Sequence, residues 1–207
     1  MFNFVSNEDN QQEVFSTYTA NRAVSGAEYM FHFNIHSAAC GYLFKRDILG
    51  GLRFTHGIYH EDEEFTPLLL LRAESVYSTD ALAYYYRRRP HSITTDDSNR
   101  QTVKRLSDMN QVMVKLSLMA DTLPHLERQA LQRRVAQLTM DHIYNIIVLT
   151  HDRHYLDRKL NELRRDGLFP LPDRNYTTKY IWFRRFTNSN AGLFLLMRVL
   201  PLMNKER

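Results

Sequence analysis

The chain has 207 residues, of which 43% are hydrophobic and 12% aromatic, and its formal net charge at pH 7 is +4. This composition predicts a globular protein with a packed core and excludes a disordered chain. The single cysteine, Cys40, excludes an intrachain disulfide and fits a reducing cytoplasm. We expect neither a signal peptide nor a transmembrane helix, because no apolar stretch approaches roughly 20 residues.

The charge is divided unevenly along the chain. Residues 1–100 contain 9 basic and 13 acidic side chains, whereas residues 101–207 contain 18 basic and 10 acidic ones. This asymmetry predicts different tasks or partners for the two halves.

The first half shows signals for short strands and one helix. Residues 2–5 alternate like a strand, and the spacing of Ser25 and Glu28 matches a capping box, which predicts a helix over 27–33. The stretches 41–49, 75–77 and 81–86 are typical of strands. None of the seven glycines lies in a nucleotide-binding motif.

An acidic cluster separates these predicted strands. His60 and four successive carboxylates, Glu61 to Glu64, stand close before the apolar run 68–71. Adjacent carboxylates repel one another, which raises the pKa of at least one of them. A carboxylate with a raised pKa is a candidate general base, so the sequence marks this cluster as a candidate site.

A second motif follows the acidic cluster. The segment from Tyr84 to Ile93 begins Tyr-Tyr-Tyr-Arg and ends at Ser-Ile, roughly twenty-five residues after the Glu61-Asp62 pair. The two motifs together resemble the second half of the catalytic domain of family 2 glycosyltransferases, which are inverting enzymes of the GT-A type. The resemblance covers about residues 38–95, with a weaker similarity at the N-terminus.

The resemblance implies an α/β (α+β) fold class. Residues 1–97 would form the acceptor-side half of a GT-A domain with a small mixed sheet, and residues 98–207 a helical extension. The implied activity is sugar transfer from a nucleotide-sugar donor to an acceptor hydroxyl, and the acceptor could be lipid-linked. Since the Gln-x-x-Arg-Trp motif of processive enzymes is missing, we expect single additions.

The resemblance also assigns roles to side chains. Asp62 would be the general base and Glu61 would orient it, while we expect Glu63 and Glu64 to face solvent. The residues expected to bind the donor diphosphate or the acceptor are His60, Arg87, Arg89, His91 and Ser92.

Part of the family pattern is missing from this chain. Family members carry an Asp-x-Asp motif that holds Mn²⁺ or Mg²⁺ on the donor, and no Asp-x-Asp occurs here. We therefore expect a divalent metal in the complete enzyme but no metal site and no activity in this chain alone. The His60/Glu64 and His151/His154 pairs could each supply two metal ligands, but we give these interpretations less weight.

Beyond residue 95 the pattern becomes helical. Apolar residues recur at three- and four-residue steps, which predicts three helices: one capped by Asp96, Asp97 or Ser98, one after Pro124, and one after Asp152 that ends at Gly167. Residues 174–207 carry seven basic side chains and one acid among aromatic and apolar residues. This tail is typical either of an interfacial membrane segment or of a C-terminal helix docked on the core.

The sequence therefore leaves two alternative functions. The first is the glycosyltransferase half, cytoplasmic or peripheral on the inner face of the membrane. The alternative is a non-catalytic module that binds a partner protein or a membrane surface. A nucleic-acid partner is not expected, because no known nucleic-acid-binding motif is present.

Overall fold

The computed structural model describes residues 1, 3–8, 11–15, 22–87 and 98–204, and of residues 3–8, 11–15, 87 and 204 it describes the backbone alone. The elements follow one another along the chain with these bounds: β1 Asn3–Glu8, β2 Gln11–Phe15, α1 Gly26–His32, α2 Glu61–Leu70, β3 Leu82–Arg87, α3 Asn99–Ala120, α4 His125–Thr150, α5 Arg153–Arg165, α6 Thr178–Thr187 and α7 Asn190–Asn204. A short 3₁₀ turn, Arg46–Leu49, precedes α2.

The protein is mostly helical, so the α/β fold class predicted from the sequence is wrong. Residues 41–45 are irregular and lead into the 3₁₀ turn, and residues 75–77 contribute a single bridge between Val24 and Val76 instead of a strand. Between residues 38 and 87 the structure has one strand, β3, where the sequence predicted a mixed sheet. Tyr42, Ile48 and Leu49 of the segment 41–49 pack around α2 without forming a strand, whereas Leu43 and Phe44 are exposed.

The three short strands form a ribbon in the order β2-β1-β3. Strand β1 is antiparallel to β2 and parallel to β3. The predicted strands over 2–5 and 81–86 are confirmed in β1 and β3, whereas β2 was not predicted. Since Leu82, Tyr84 and Tyr85 of β3 are exposed, this strand adds little to the core.

The core is made of helix faces. Its central cluster joins α3, α4 and α5, and the stripes predicted from helical periodicity point into it. Several large side chains are almost completely buried there: Met113, Leu116, Leu138, Ile143, Ile146, Leu156 and Leu160. The three helices predicted beyond residue 95 are therefore confirmed, and Ser98 is the cap of the first.

The predicted helix caps are also confirmed. The Ser25 hydroxyl accepts a hydrogen bond from the Glu28 backbone N–H at 3.1 Å, and the Asp152 carboxylate accepts one from the Tyr155 N–H at 3.0 Å. Gly167, at φ 72°, follows the end of α5 in a conformation that favours glycine.

Helix α4 connects the two halves of the chain. The buried Arg133 of α4 donates hydrogen bonds to the carbonyls of Met30 and Phe33, at the C-terminal end of α1, at 3.1 Å each. The same guanidinium donates to the Asn175 carbonyl at 2.8 Å, which lies just before α6. Because a buried cation needs such partners, Arg133 fixes both segments on α4, and α2 is held between α1 and α3.

Candidate functional site

The acidic cluster forms the first turn of α2. The helix runs from Glu61 to Leu70, and all four carboxylates lie in its first turn, where negative charge interacts favourably with the helix dipole. His60 precedes the helix in a left-handed backbone conformation, φ 64° and ψ 30°. This conformation is strained for a residue with a Cβ atom, and such strain is concentrated at functional sites.

Glu63 is tied to α4 and does not face solvent, so that prediction is wrong. Its carboxylate accepts a hydrogen bond from the Arg134 guanidinium, which also donates to the Ser37 hydroxyl at 2.9 Å. Burial alone would raise the pKa of Glu63, but Arg134 and Ser37 outweigh it and lower the pKa below its ordinary value. Glu63 therefore stays ionised as the counter-ion of a buried arginine.

Glu64 is likewise buried, only 5% exposed, and bound to α3. The Lys115 ammonium group donates to it at 2.5 Å, and the Thr55 hydroxyl lies 3.0 Å from both carboxylate oxygens. The expectation that Glu64 faces solvent is therefore also wrong. Glu63 and Glu64 attach the first turn of α2 to two different helices, which fixes the direction of the turn.

Asp62 differs from these two neighbours. Among the described side chains none forms an ion pair with it, and its Oδ1 accepts one hydrogen bond, from the Glu63 N–H at 2.9 Å. Burial, followed by the charges of Glu63 and Glu61, raises the pKa of Asp62 to about 6. Asp62 is thus the carboxylate of the cluster with the strongest shift towards basicity.

The two side chains that precede Asp62 are either exposed or uncharged. Glu61 is exposed, and it contributes negative charge to the raised pKa of Asp62. Burial lowers the pKa of His60 below its ordinary value, although Glu63, Glu61 and Asp108 act in the opposite direction. A neutral imidazole can both donate and accept a hydrogen bond.

The loop before α2 is fixed by α3. The Tyr59 backbone N–H donates to Asp108 at 2.8 Å, and Lys104 forms an ion pair with the same carboxylate at 2.5 Å. Lys104 also donates to the Gly57 carbonyl at 3.1 Å, and the Tyr59 hydroxyl donates to Gln101. These contacts fix the backbone that leads into the left-handed His60.

A carboxylate of α4, Asp141, is electrostatically coupled to the cluster through Glu63. Asp141 of α4 accepts hydrogen bonds from the Tyr180 hydroxyl at 2.9 and 3.0 Å. Burial raises the pKa of Asp141 despite the nearby Arg134 charge. Arg134 therefore acts on Glu63 and Asp141 together and connects the first turn of α2 with α6.

Sequence reasoning missed Lys115, Arg134 and Asp141. Each stands within an otherwise regular helical repeat, so periodicity alone assigned it to no site. The signal that could have found Arg134 is its position directly after Arg133, next to the apolar run of α4. Next to an apolar run on a helix in the core, at least one of two adjacent arginines is expected to lie on the buried side.

The structure does not describe the side chains of the remaining predicted site residues. Arg87 is the last residue of β3, and its side chain lies outside the described part of the chain, as do Arg89, His91 and Ser92. Whether these residues approach the acidic cluster therefore stays a prediction. The described residues contain no group of three histidine, cysteine or acidic side chains that could hold a metal ion.

A cavity of about 560 Å³ lies along the later turns of α2, away from the cluster. Its walls include Thr66 and Leu69 of α2 together with Tyr42, Arg72 and Val76, but neither Asp62 nor His60. The Tyr42 hydroxyl is hydrogen-bonded to that of Thr66 at 3.0 Å, so the polar groups nearest α2 are already satisfied. The cavity and the acidic cluster are therefore separate features of the surface.

The C-terminal helices both dock on the core and expose apolar side chains. Leu193 and Leu196 of α7 are buried in the main cluster, whereas Phe194 and Leu202 are more than half exposed. In the part of the chain that the structure describes, no helix is long and apolar enough to cross a membrane.

The sequence and the fold were compared with known proteins. No family model, no curated protein and no solved structure matches the chain.

Proposed function

We propose that the chain supplies the acceptor-activating part of an inverting glycosyltransferase, in which Asp62 is the general base. The observation that supports this proposal is the difference between neighbouring carboxylates. Glu63 and Glu64 are each paired with a cation, while Asp62 has no such partner among the described residues and its pKa is raised to about 6. Unequal environments of this kind are typical of acid–base sites.

The raised pKa suits the chemistry of transfer. An acceptor hydroxyl is a weak nucleophile until a base takes its proton as the new bond to the anomeric carbon forms. A carboxyl group with a pKa near 6 is mostly ionised at pH 7 and is a stronger base than an ordinary aspartate. Neutral His60 could orient the hydroxyl towards Asp62 by accepting or donating a hydrogen bond.

The donor side of the reaction needs residues that the described part of this chain does not provide. The acidic side chains at α2 do not fit a divalent metal, because Glu63 and Glu64 are occupied by Arg134 and Lys115. We therefore assign no metal step to this site. In our proposal Arg87, Arg89, His91 and Ser92 bind the donor diphosphate or the acceptor.

The test compares two aspartate variants in a protein that joins this chain to a donor-binding half. Asp62→Asn keeps the shape of the side chain but removes its basicity, so turnover should fall about 100- to 10,000-fold. Donor affinity, measured by calorimetry, should change little. The matched control is Asp157→Asn on the surface of α5, whose carboxylate pairs with Arg153.

The pH dependence adds a second criterion. Turnover of the unchanged protein should fall as the pH drops below about 6, where Asp62 becomes protonated. Equal turnover in the Asp62→Asn and Asp157→Asn proteins would refute the general-base role. The alternative, a non-catalytic interaction module, would then be favoured.

A further inference from the structure

Helix α7 is apolar on two faces. One face packs into the core through Leu193 and Leu196, which are 3% and 8% exposed. The other faces solvent with side chains that are between 39% and 66% exposed: Phe194, Leu195, Val199, Leu202 and Met203. A helix that is apolar all round is normally buried all round, so the outward face of α7 is expected to contact another apolar phase.

Close packing on α6 fixes the inward face of α7. A Cβ atom at Gly192 would come within 2.2 Å of the Phe186 carbonyl oxygen, so only glycine allows this approach of the two helices. The tight contact prevents α7 from rotating its exposed side chains into the core. The outward face is therefore a fixed surface of the folded protein.

The surroundings of this face are positively charged. From residue 174 to residue 204 the chain contains no aspartate or glutamate. Arg198 stacks over Phe194 within the face, with its guanidinium carbon 4.4 Å from the ring centroid. On α6, Arg185 stacks over the half-exposed Trp182 at 5.3 Å. Lys179 is also exposed.

We propose that the outward face of α7, together with Trp182 and Arg185 of α6, binds the surface of a membrane that contains anionic phospholipid. Apolar side chains that insert between lipids, basic side chains that meet their phosphates, and a tryptophan at the interface are the features of such helices. At about 1.5 Å per residue, the 15-residue α7 is roughly 22 Å long and lies in the plane of the interface.

Helices α6 and α7 contain no acidic side chain, although Asp173 before α6 pairs with Arg184 at 2.7 Å, and this excess of basic groups favours a lipid surface over a protein partner. A protein interface of similar apolar character is usually surrounded by residues of both charge signs, because charge pairs there determine which partner binds. This inference does not rest on the proposed function, since it can be tested without any measurement of sugar transfer.

The experiment is co-sedimentation of the full chain with vesicles. Vesicles of phosphatidylcholine with phosphatidylserine should bind the protein, and vesicles of phosphatidylcholine alone should bind it much more weakly. Leu202→Glu should lower the partition coefficient at least tenfold, because it places an acid in the inserting face. Arg198→Gln should lower it about fivefold, since each basic residue near an anionic surface contributes about that factor.

The matched control is Leu118→Glu on α3. Leu118 and Leu202 are exposed to the same degree, 67% and 66%, so both variants should fold, which thermal melts can verify. Deleting the tail is a poorer test, because Tyr176, Leu193 and Leu196 belong to the core and the shortened chain would be destabilised. Leu118→Glu should bind vesicles like the unchanged protein.

Trp182, the only tryptophan of the chain, reports on the depth of α6. Its emission should shift to shorter wavelength on binding and should be quenched by lipids brominated near the headgroup. The proposal is overturned if Leu202→Glu and Leu118→Glu sediment equally, or if anionic lipid makes no difference. It is also overturned if α7 instead forms a dimer, seen as a Leu202-dependent association in ultracentrifugation without vesicle binding.

Discussion

Replacing Asp62 by asparagine should stabilise the folded protein at neutral pH. In the folded chain the pKa of Asp62 is raised from 3.8 to about 6, mainly because the carboxylate is buried, so ionisation opposes folding. A pKa difference of about two units corresponds to roughly 3 kcal/mol, which is an upper bound because part of the side chain meets water. Asparagine has the same shape, carries no charge and can still accept the Glu63 N–H hydrogen bond.

The sign of the effect determines its pH dependence. The unfolded chain loses the Asp62 proton near pH 4, whereas the folded chain holds it to about pH 6, so the group costs stability progressively as the pH rises between these values. Asp62→Asn should therefore match the unchanged protein at pH 4 and exceed it by about 2 kcal/mol at pH 7.5. For a chain of this length that corresponds to roughly 4 to 8 °C in Tm.

Thermal melts of both proteins at several pH values measure this difference directly. Titrating groups remote from the first turn of α2 act equally in the two proteins and cancel in the comparison, whereas Glu61 and Glu63 are coupled to Asp62 and their response is part of the measured difference. Asp157→Asn is the control, because its exposed pair with Arg153 contributes about 0.5 kcal/mol or less. Our account of Asp62 is wrong if Asp62→Asn is destabilising at pH 7.5, or if its effect is the same at pH 4.

Three further predictions concern stability. His142 is 1% exposed, neither ring nitrogen has a hydrogen-bond partner among the described residues, and burial lowers its pKa from 6.5 to about 3. Below pH 6.5 the unfolded chain therefore binds a proton that the folded chain does not, so the free energy of unfolding should fall by about 2 kcal/mol between pH 7 and pH 5. In denaturant titrations His142→Leu should abolish this loss. Glu63→Gln should cost about 3 kcal/mol in the same assay, because it leaves the buried Arg134 without its counter-ion, and a change below about 0.5 kcal/mol would contradict the pairing. Ile143→Ala should cost about 2 to 5 kcal/mol as a fully buried core residue, whereas Leu118→Ala at an exposed position should have little effect on the melting temperature.

The acidic cluster shows how far the sequence determined the site. The four adjacent carboxylates correctly predicted a group with a raised pKa, which is Asp62, because neighbouring like charges repel one another. Which carboxylates lie free and which are paired depends on Lys115 and Arg134, whose positions lie 51 and 71 residues away along the chain. No local rule could have distinguished Asp62 from Glu63.

The secondary-structure elements also divide into those that the sequence determines and those that depend on tertiary packing. Helices after residue 98, their caps and the stop at Gly167 follow from periodicity and capping chemistry, which act within one or two turns and are therefore readable from the sequence. The fold class was wrong because an apolar run such as 41–49 fixes neither its secondary structure nor its burial: Tyr42 is buried, whereas Leu43 and Phe44 are exposed. Whether such a run pairs as a strand or packs as a loop depends on which surface covers it, and here that surface is α2. Side-chain polarity is a property of the residue, but whether the side chain is buried, and against which partner, is decided only by the tertiary structure.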